Sequence, residues 1–187
     1  MNSNRKERVV VYIDGNNFYK YLRDRQYSFP KGVKFNFEKF INMLINGREL
    51  VSKRYYIGIA KNFDNSEKSK EIVRGQQKFL NELQREGFVI KRGKVIYDSG
   101  KIREKGVDVK ISVDLVIGAV DNIFDTAILV SSDTDLIPAI KYVRFKGKSV
   151  EYIGFSHCPS LGVQKNVDLS RLLTAQDIDS LKMNNHE

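Results

Sequence analysis

A chain of 187 residues can bury a core without disulfide or metal staples, and it fits one domain better than two. Its composition, 41% hydrophobic and 29% charged, suits a soluble fold; no apolar run nears the roughly 18 residues of a membrane span, and the polar start Met1–Arg8 lacks a signal peptide's apolar stretch, so no membrane partner and cytoplasmic residence are expected. One cysteine, Cys158, excludes an intrachain disulfide framework, two histidines leave no Cys/His zinc set, and a net charge of +9 favours polyanions, of which nucleic acid is the commonest.

Strand-like and helix-like segments alternate along the chain, which predicts an α/β domain with a mostly parallel sheet. Val9–Ile13 is an apolar run typical of a central strand covered on both faces. It ends in Asp14-Gly15-Asn16-Asn17 and leads into a helix through Phe18, Tyr21 and Leu22 that breaks before Ser28-Phe29-Pro30. A second helix is expected over Glu38–Ile45, ending near Gly47, and a strand over Tyr55–Ala60. Ser66 caps a long helix to Glu86, with Ile72, Phe79 and Leu83 on one face and Gly87 just past its end. Phe88–Ile90 and Val95–Tyr97 read as two strands joined by the basic Lys91–Lys94, and Asp98–Gly106 as a polar loop. Thr126–Ser131, Leu136–Phe145 and Ser149–Ile153 form a clear strand–helix–strand unit; the core should span about residues 8–155, with 156–183 a helical tail and Asn184–Glu187 frayed. Val107–Leu115 alternates apolar and polar, which says strand, yet the apolar run continues to Val120, too long for one; periodicity leaves both readings open.

In an open parallel sheet, ligands bind beyond the carboxyl ends of the strands. Two strands here end in acids: the first delivers Asp14 with Asn16 and Asn17, the other Ser131-Ser132-Asp133-Thr134-Asp135. Carboxylates gathered at neighbouring strand ends repel unless one is protonated or a cation compensates, and an all-oxygen cluster suits Mg²⁺ or Mn²⁺. Each acid also has a bland explanation. Asp133 or Asp135 can cap the following helix, Asp14 can start a turn with Gly15, and Asp108 and Asp114 can be charges on a solvated helix face.

The string Val11-Tyr12-Ile13-Asp14-Gly15-Asn16-Asn17 resembles the opening motif of NYN domains, the PIN-like nucleases that include LabA-like bacterial proteins. Lys105-Gly106-Val107-Asp108-Val109-Lys110 with Val113-Asp114-Leu115 is similar to that family's central motif, and Asp125–Pro138, followed by Gly147–Val150, to its third. Ser170–Leu173 through Ile178 resembles the closing segment. The resemblance implies a Rossmann-like, PIN-like three-layer sandwich, a helix over the ambiguous Val107–Val120 stretch, and a metal-dependent endoribonuclease. It makes Asp14, Asp108, Asp133 and Asp135 the main acids, with Asn17 helping to position Asp14 or the substrate. Asp114 is a further candidate ligand, or a support for the helix. Ser131 and Ser132 would bond phosphate or orient Asp133. Two positions depart from the family's habit, Ser132 where glycine is common and Leu136 where phenylalanine is, which puts the turn before Asp133 in question.

An RNA path is expected over Asn16, Lys61, Arg103, Lys105 and Lys110, with Lys68, Lys70 and Arg74 further along and Tyr19 or Phe63 stacking bases. The rival is a module that binds RNA or regulates a partner without turnover; a homo-oligomer fits either reading. A dehalogenase-type phosphatase is disfavoured because Asp133-Thr134-Asp135 does not follow the first strand, and no Walker or GxGxxG loop is present. His157-Cys158 lacks a reason to be a nucleophile pair.

Overall fold

The computed structural model describes residues 5–24, 33–62, 65–98 and 101–183. The expected break at Ser28–Pro30, the candidate stacker Phe63 and the frayed end Asn184–Glu187 lie outside these. In chain order the elements are β1 (Arg8–Asp14), α1 (Gly15–Leu22), α2 (Phe37–Ile45), β2 (Glu49–Gly58), α3 (Glu67–Arg85), β3 (Val89–Asp98), β4 (Lys101–Lys105), α4 (Val107–Val120), β5 (Thr126–Val130), α5 (Ile137–Phe145), β6 (Ser149–Phe155), α6 (Leu161–Gln164), β7 (Leu169–Leu173) and α7 (Ala175–Ser180). A single 3-10 turn, Thr134–Leu136, leads into α5. The strands form one sheet in the order β4-β3-β2-β1-β5-β6-β7, parallel throughout except for the β3–β4 pair.

β1 is the middle of the sheet because its residues are apolar on both sides. Val9, Val11 and Ile13 pack with Phe18, Phe40, Ile41, Leu80 and Leu83 under α1, α2 and α3. Val10 and Tyr12 pack with Ile111, Leu115, Ile140 and Val143 under α4 and α5. The result is the expected α/β three-layer sandwich, Rossmann-like with a mostly parallel central sheet. Each fully buried Val or Ile contributes about 1.5–3 kcal/mol relative to an exposed one, so the central strand is the most strongly fixed part of the fold. Its start is pinned as well: the Arg8 guanidinium and backbone N–H both donate to Asp125, just before β5, which holds that carboxyl down at about 2.

The chain turns from β1 into α1 at Gly15, where no side chain fits. A Cβ there would lie 2.5 Å from the Tyr55 ring and 2.7 Å from the Tyr56 carbonyl oxygen. Gly15→Ala should therefore lower stability by about 1–3 kcal/mol, read as a lower urea midpoint with an unchanged slope.

Several expectations are corrected. The basic Lys91–Lys94 run is no turn: β3 is continuous, paired parallel to β2 through Gly93 and antiparallel to β4 from Lys94 to Asp98. Lys101–Lys105, read as loop, is that antiparallel edge strand, and its charged sequence suits an edge that must not template other strands. The C-terminal tail holds a strand besides its short helices, because β7 pairs with β6 and covers its edge. β2 begins at Glu49 rather than Tyr55 and ends at Gly58 rather than Ala60. On α3 the buried residues are Leu80 and Leu83, while Ile72, in the first half of the helix, is exposed. Val107–Val120 is helical, as the resemblance implied. No helix among the described residues is long and apolar enough to cross a membrane.

Candidate active site

β1 and β5 are neighbours, and the chain departs from them toward opposite edges of the sheet, so the crevice beyond their carboxyl ends is a topological switch point. A cleft of about 350 Å³ opens there, lined by Asp14, Asn16, Asn17, Lys20, Gly106, Val107, Asp108 and Asp133. Three of the four acids expected to be the main ones thus reach one cavity from three elements: the end of β1, the first turn of α4 and the loop after β5.

Asp14 is buried at the base. Its Oδ1 accepts from the Asn17 backbone N–H at 3.1 Å, which caps α1, and its Oδ2 accepts from the Ser131 hydroxyl at 3.1 Å. Burial pushes this carboxyl above its ordinary range, and repulsion from Asp133 adds to the rise. The donors from Asn17, Ser131 and the Asn16 backbone oppose it without cancelling it. Asp133 also serves as a cap, its Oδ1 accepting from the Asp135 N–H at 2.9 Å. The cap reading and the site reading therefore both hold for Asp14 and Asp133.

The supporting bonds cross between the two strand ends. Ser131 Oγ, while donating to Asp14, accepts from the Asp133 N–H at 3.2 Å, and Asn17 Oδ1 accepts from the Ser132 N–H at 3.0 Å. Asn17 and Ser131 thus tie the β1 turn to the β5 loop and fix the spacing of the two acids. Ser132, standing where glycine is common, keeps a negative φ and shares a 2.7 Å hydrogen bond with the Tyr152 hydroxyl, so its side chain is accommodated. Leu136 is fully buried under α5.

Other expected residues lie elsewhere. Asp135 is exposed in the 3-10 turn and does not line the cleft. Asp114 faces β2 and β3, where its Oδ2 accepts from the Tyr56 hydroxyl at 2.7 Å and lies 3.1 Å from Lys91 Nζ and 3.5 Å from Arg54. Burial, and next the Asp114 hydrogen bond, push the Tyr56 hydroxyl far up, so it remains a donor. Lys61, Lys105 and Lys110 are exposed outside the cleft lining, although Lys105 adjoins Gly106. Arg103 lies in β4, and its side chain falls outside the described residues. His157 packs edge-on against Tyr21 and Phe155, while Cys158 is exposed.

Sequence reading missed Lys20, the cation of the cleft. Its signal was present, since Lys20 stands four residues after Asn16 and three after Asn17 and must share their face once α1 is helical. Gly106, within the central motif, has a φ of 79° that turns β4 into α4 and brings Asp108 to the cleft.

The NYN domain profile matches residues 8–170. The chain belongs to the NYN family. An NYN domain has a PIN-like nuclease fold, and the matched span runs from β1 into β7. No curated protein matches the sequence. Among solved structures, the chain is similar to a protein of unknown function from Vibrio parahaemolyticus, with a TM-score of 0.72, 22% identity, and 98% of this chain and 100% of that chain covered. At that identity the likeness speaks for the fold of this NYN domain alone.

The donors around the cleft are all oxygens, apart from Lys20, which matches the preference of Mg²⁺ and Mn²⁺. Among the described residues no three carboxylate, histidine or cysteine side chains gather tightly enough to cage an ion unaided. Mg²⁺ does not require this, since it is usually held by one or two carboxylates plus waters and substrate phosphate. The desolvated Asp14 beside Asp133 is the pair that a cation would relieve.

Proposed function

We propose that this NYN domain is a divalent-cation-dependent ribonuclease whose centre is the cleft between the ends of β1 and β5. The observation that carries the reading is the buried Asp14, crowded by Asp133 and raised above its normal range, at a switch point that Asp108 also reaches. Asp14 and Asp133 would hold the Mg²⁺ or Mn²⁺, with Asp108 across the cleft as a third acid. Bound there, the cation would activate water and stabilise the departing oxygen of a phosphodiester.

The chain's own residues do the positioning. Ser131 and the Asn17 backbone keep Asp14 in one rotamer with both oxygens engaged, and the Asn17 amide holds the loop that carries Asp133. Lys20 offers a point charge to a substrate phosphate, and Asn16 a polar group beside it. Lys105, next to the cleft residue Gly106 in sequence, extends the path, and the net charge of +9 draws the polyanion in.

Purified protein incubated with single-stranded and structured RNA should cleave with Mn²⁺ or Mg²⁺ and stop with EDTA. Binding without cleavage under every metal would replace the enzyme by a non-catalytic RNA-binding or regulatory module. The raised Asp14 carboxyl gives a pH signature. Cation binding needs the charged form, so activity should fall on acidification with a midpoint above the ordinary aspartate value of about 3.9. A pH–rate profile at Mn²⁺ well below saturation checks it, since saturating metal displaces the proton and draws the midpoint down.

A further inference from the structure

α4 is apolar on the wrong side as well as the right one. Val107, Ile111, Leu115 and Ala119 are buried against the sheet, yet its exposed positions are Val109, Val113, Ile117 and Val120, at 59%, 48%, 46% and 54% exposure, with Lys110 the lone charge among them. Residues spaced by four, four and three positions form one stripe along the whole helix. The stripe has clear flanks. Asp114 leans toward β2 and β3 on one side, and on α5 Arg144 reaches away to Asp168 and Asn166 on the other. Between these flanks α5 adds Tyr142 and Phe145, at 39% and 79% exposure and in ring contact at 6.2 Å. Charge returns on α5, where Lys146 Nζ lies 5.4 Å from the Tyr142 ring centre and Lys141 is exposed one turn before Phe145, so the bare surface is the α4 stripe. In a chain with 29% charged residues such a stripe is unpartnered rather than solvated.

We infer that this face binds a second copy of the chain, α4 packing antiparallel on α4 of its twin about a two-fold axis near Leu115. The stripe is self-complementary in that arrangement, which among the registers that pair it with itself is the one that uses all four residues. Val109 falls opposite Val120 of the twin and Val113 opposite Ile117, as an isologous interface requires. The charges agree: Lys110 and Asp121 lie on the same edge at opposite ends of α4, carry no ion pair among the described residues, and come side by side across the axis. The six side chains form an exposed patch of the few-hundred-Å² size that marks an interaction site, and the surrounding α4 and α5 surface extends it toward the ~800 Å² per partner that a stable dimer buries. Elsewhere the copies, at +9 each, repel. The two clefts sit at the amino-terminal ends of the paired helices, about 20 Å apart, and stay open.

Sedimentation equilibrium of the full chain should give twice 21.6 kDa at micromolar concentrations. Val113→Glu with Ile117→Glu should raise the dimer dissociation constant at least about 100-fold with unchanged circular dichroism, both sites being exposed. The register is tested by charge reversal. Lys110→Glu or Asp121→Lys alone should weaken the dimer about 10-fold, and the two together should restore it. A wild-type monomer at every concentration, or a dimer indifferent to the glutamates, would overturn the proposal and leave the face to a different apolar partner. A dimer that breaks with the glutamates but shows no rescue by double reversal would overturn the antiparallel register.

Discussion

Asp14→Asn and Asp133→Asn should each lower single-turnover RNA cleavage by at least about 100-fold while leaving RNA affinity nearly unchanged. The amide keeps the shape of the carboxyl and its capping oxygen, so Asn17 and Asp135 still find an acceptor; at position 14 the amide NH2 faces Ser131 Oγ, whose hydroxyl turns from donor to acceptor, and the charge offered to a cation is lost. Asp14 gives an independent check through stability. Its folded carboxyl is raised, so the folded state binds the proton more tightly than the unfolded one. Ionisation therefore removes stability as pH climbs from the unfolded value, about 3.9, through the folded one. At pH 7 without divalent cation, Asp14→Asn should melt at the same temperature as wild type or higher. A variant that loses both cleavage and fold would instead make Asp14 a structural cap only. Asp108→Asn should lose cleavage too, with stability within about 0.5 kcal/mol of wild type, because its side chain is only partly buried in the first turn of α4.

Asp114→Ala should behave in the opposite way, costing about 3 kcal/mol in urea unfolding at pH 7. The Asp114 side chain is only 17% exposed and faces Lys91, Arg54 and the Tyr56 hydroxyl, and its removal takes their shared carboxylate from the mostly buried Arg54 and from the phenol. Arg54 also lies 5.4 Å over the Tyr12 ring, so the disturbance reaches the central strand. Since this cluster clamps α4 to β2 and β3, a modest loss of cleavage should accompany the lost stability through a misplaced Asp108. The discriminating outcome is the pair of measurements. If Asp114→Ala unfolds like wild type yet abolishes cleavage, the metal role belongs to Asp114 and not to Asp108.

What could be read from the sequence follows from what each segment buries. β1 and β5 were legible because both faces are covered, so Val9–Ile13 and Thr126–Val130 are continuous apolar runs. Their acidic ends pointed to the cleft, and the shared family motifs added Asp108. Val107–Leu115 defeated periodicity for a reason now visible: Val109 and Val113 on the outer stripe alternate with polar residues between the buried Val107, Ile111 and Leu115, and so mimic a strand. The feature that hid the helix is the one that marks its unpartnered face. β4 was illegible because a charged edge strand is held by its pairing with β3, which local composition does not record. Lys20 was missed because a lone lysine gains meaning only from its neighbours on a formed helix, and Asp135, two residues from Asp133, turns outward with the 3-10 turn and lies outside the cleft lining, which its spacing alone does not show.

Asp14 and Asp133 share one divalent cation in the cleft if calorimetric titration of Mn²⁺ into metal-free protein at pH 7 depends on both. Wild type should bind one ion per chain, with heat that vanishes in both Asp14→Asn and Asp133→Asn and persists in Asp135→Asn. Equal Mn²⁺ binding by wild type, Asp14→Asn and Asp133→Asn would contradict it.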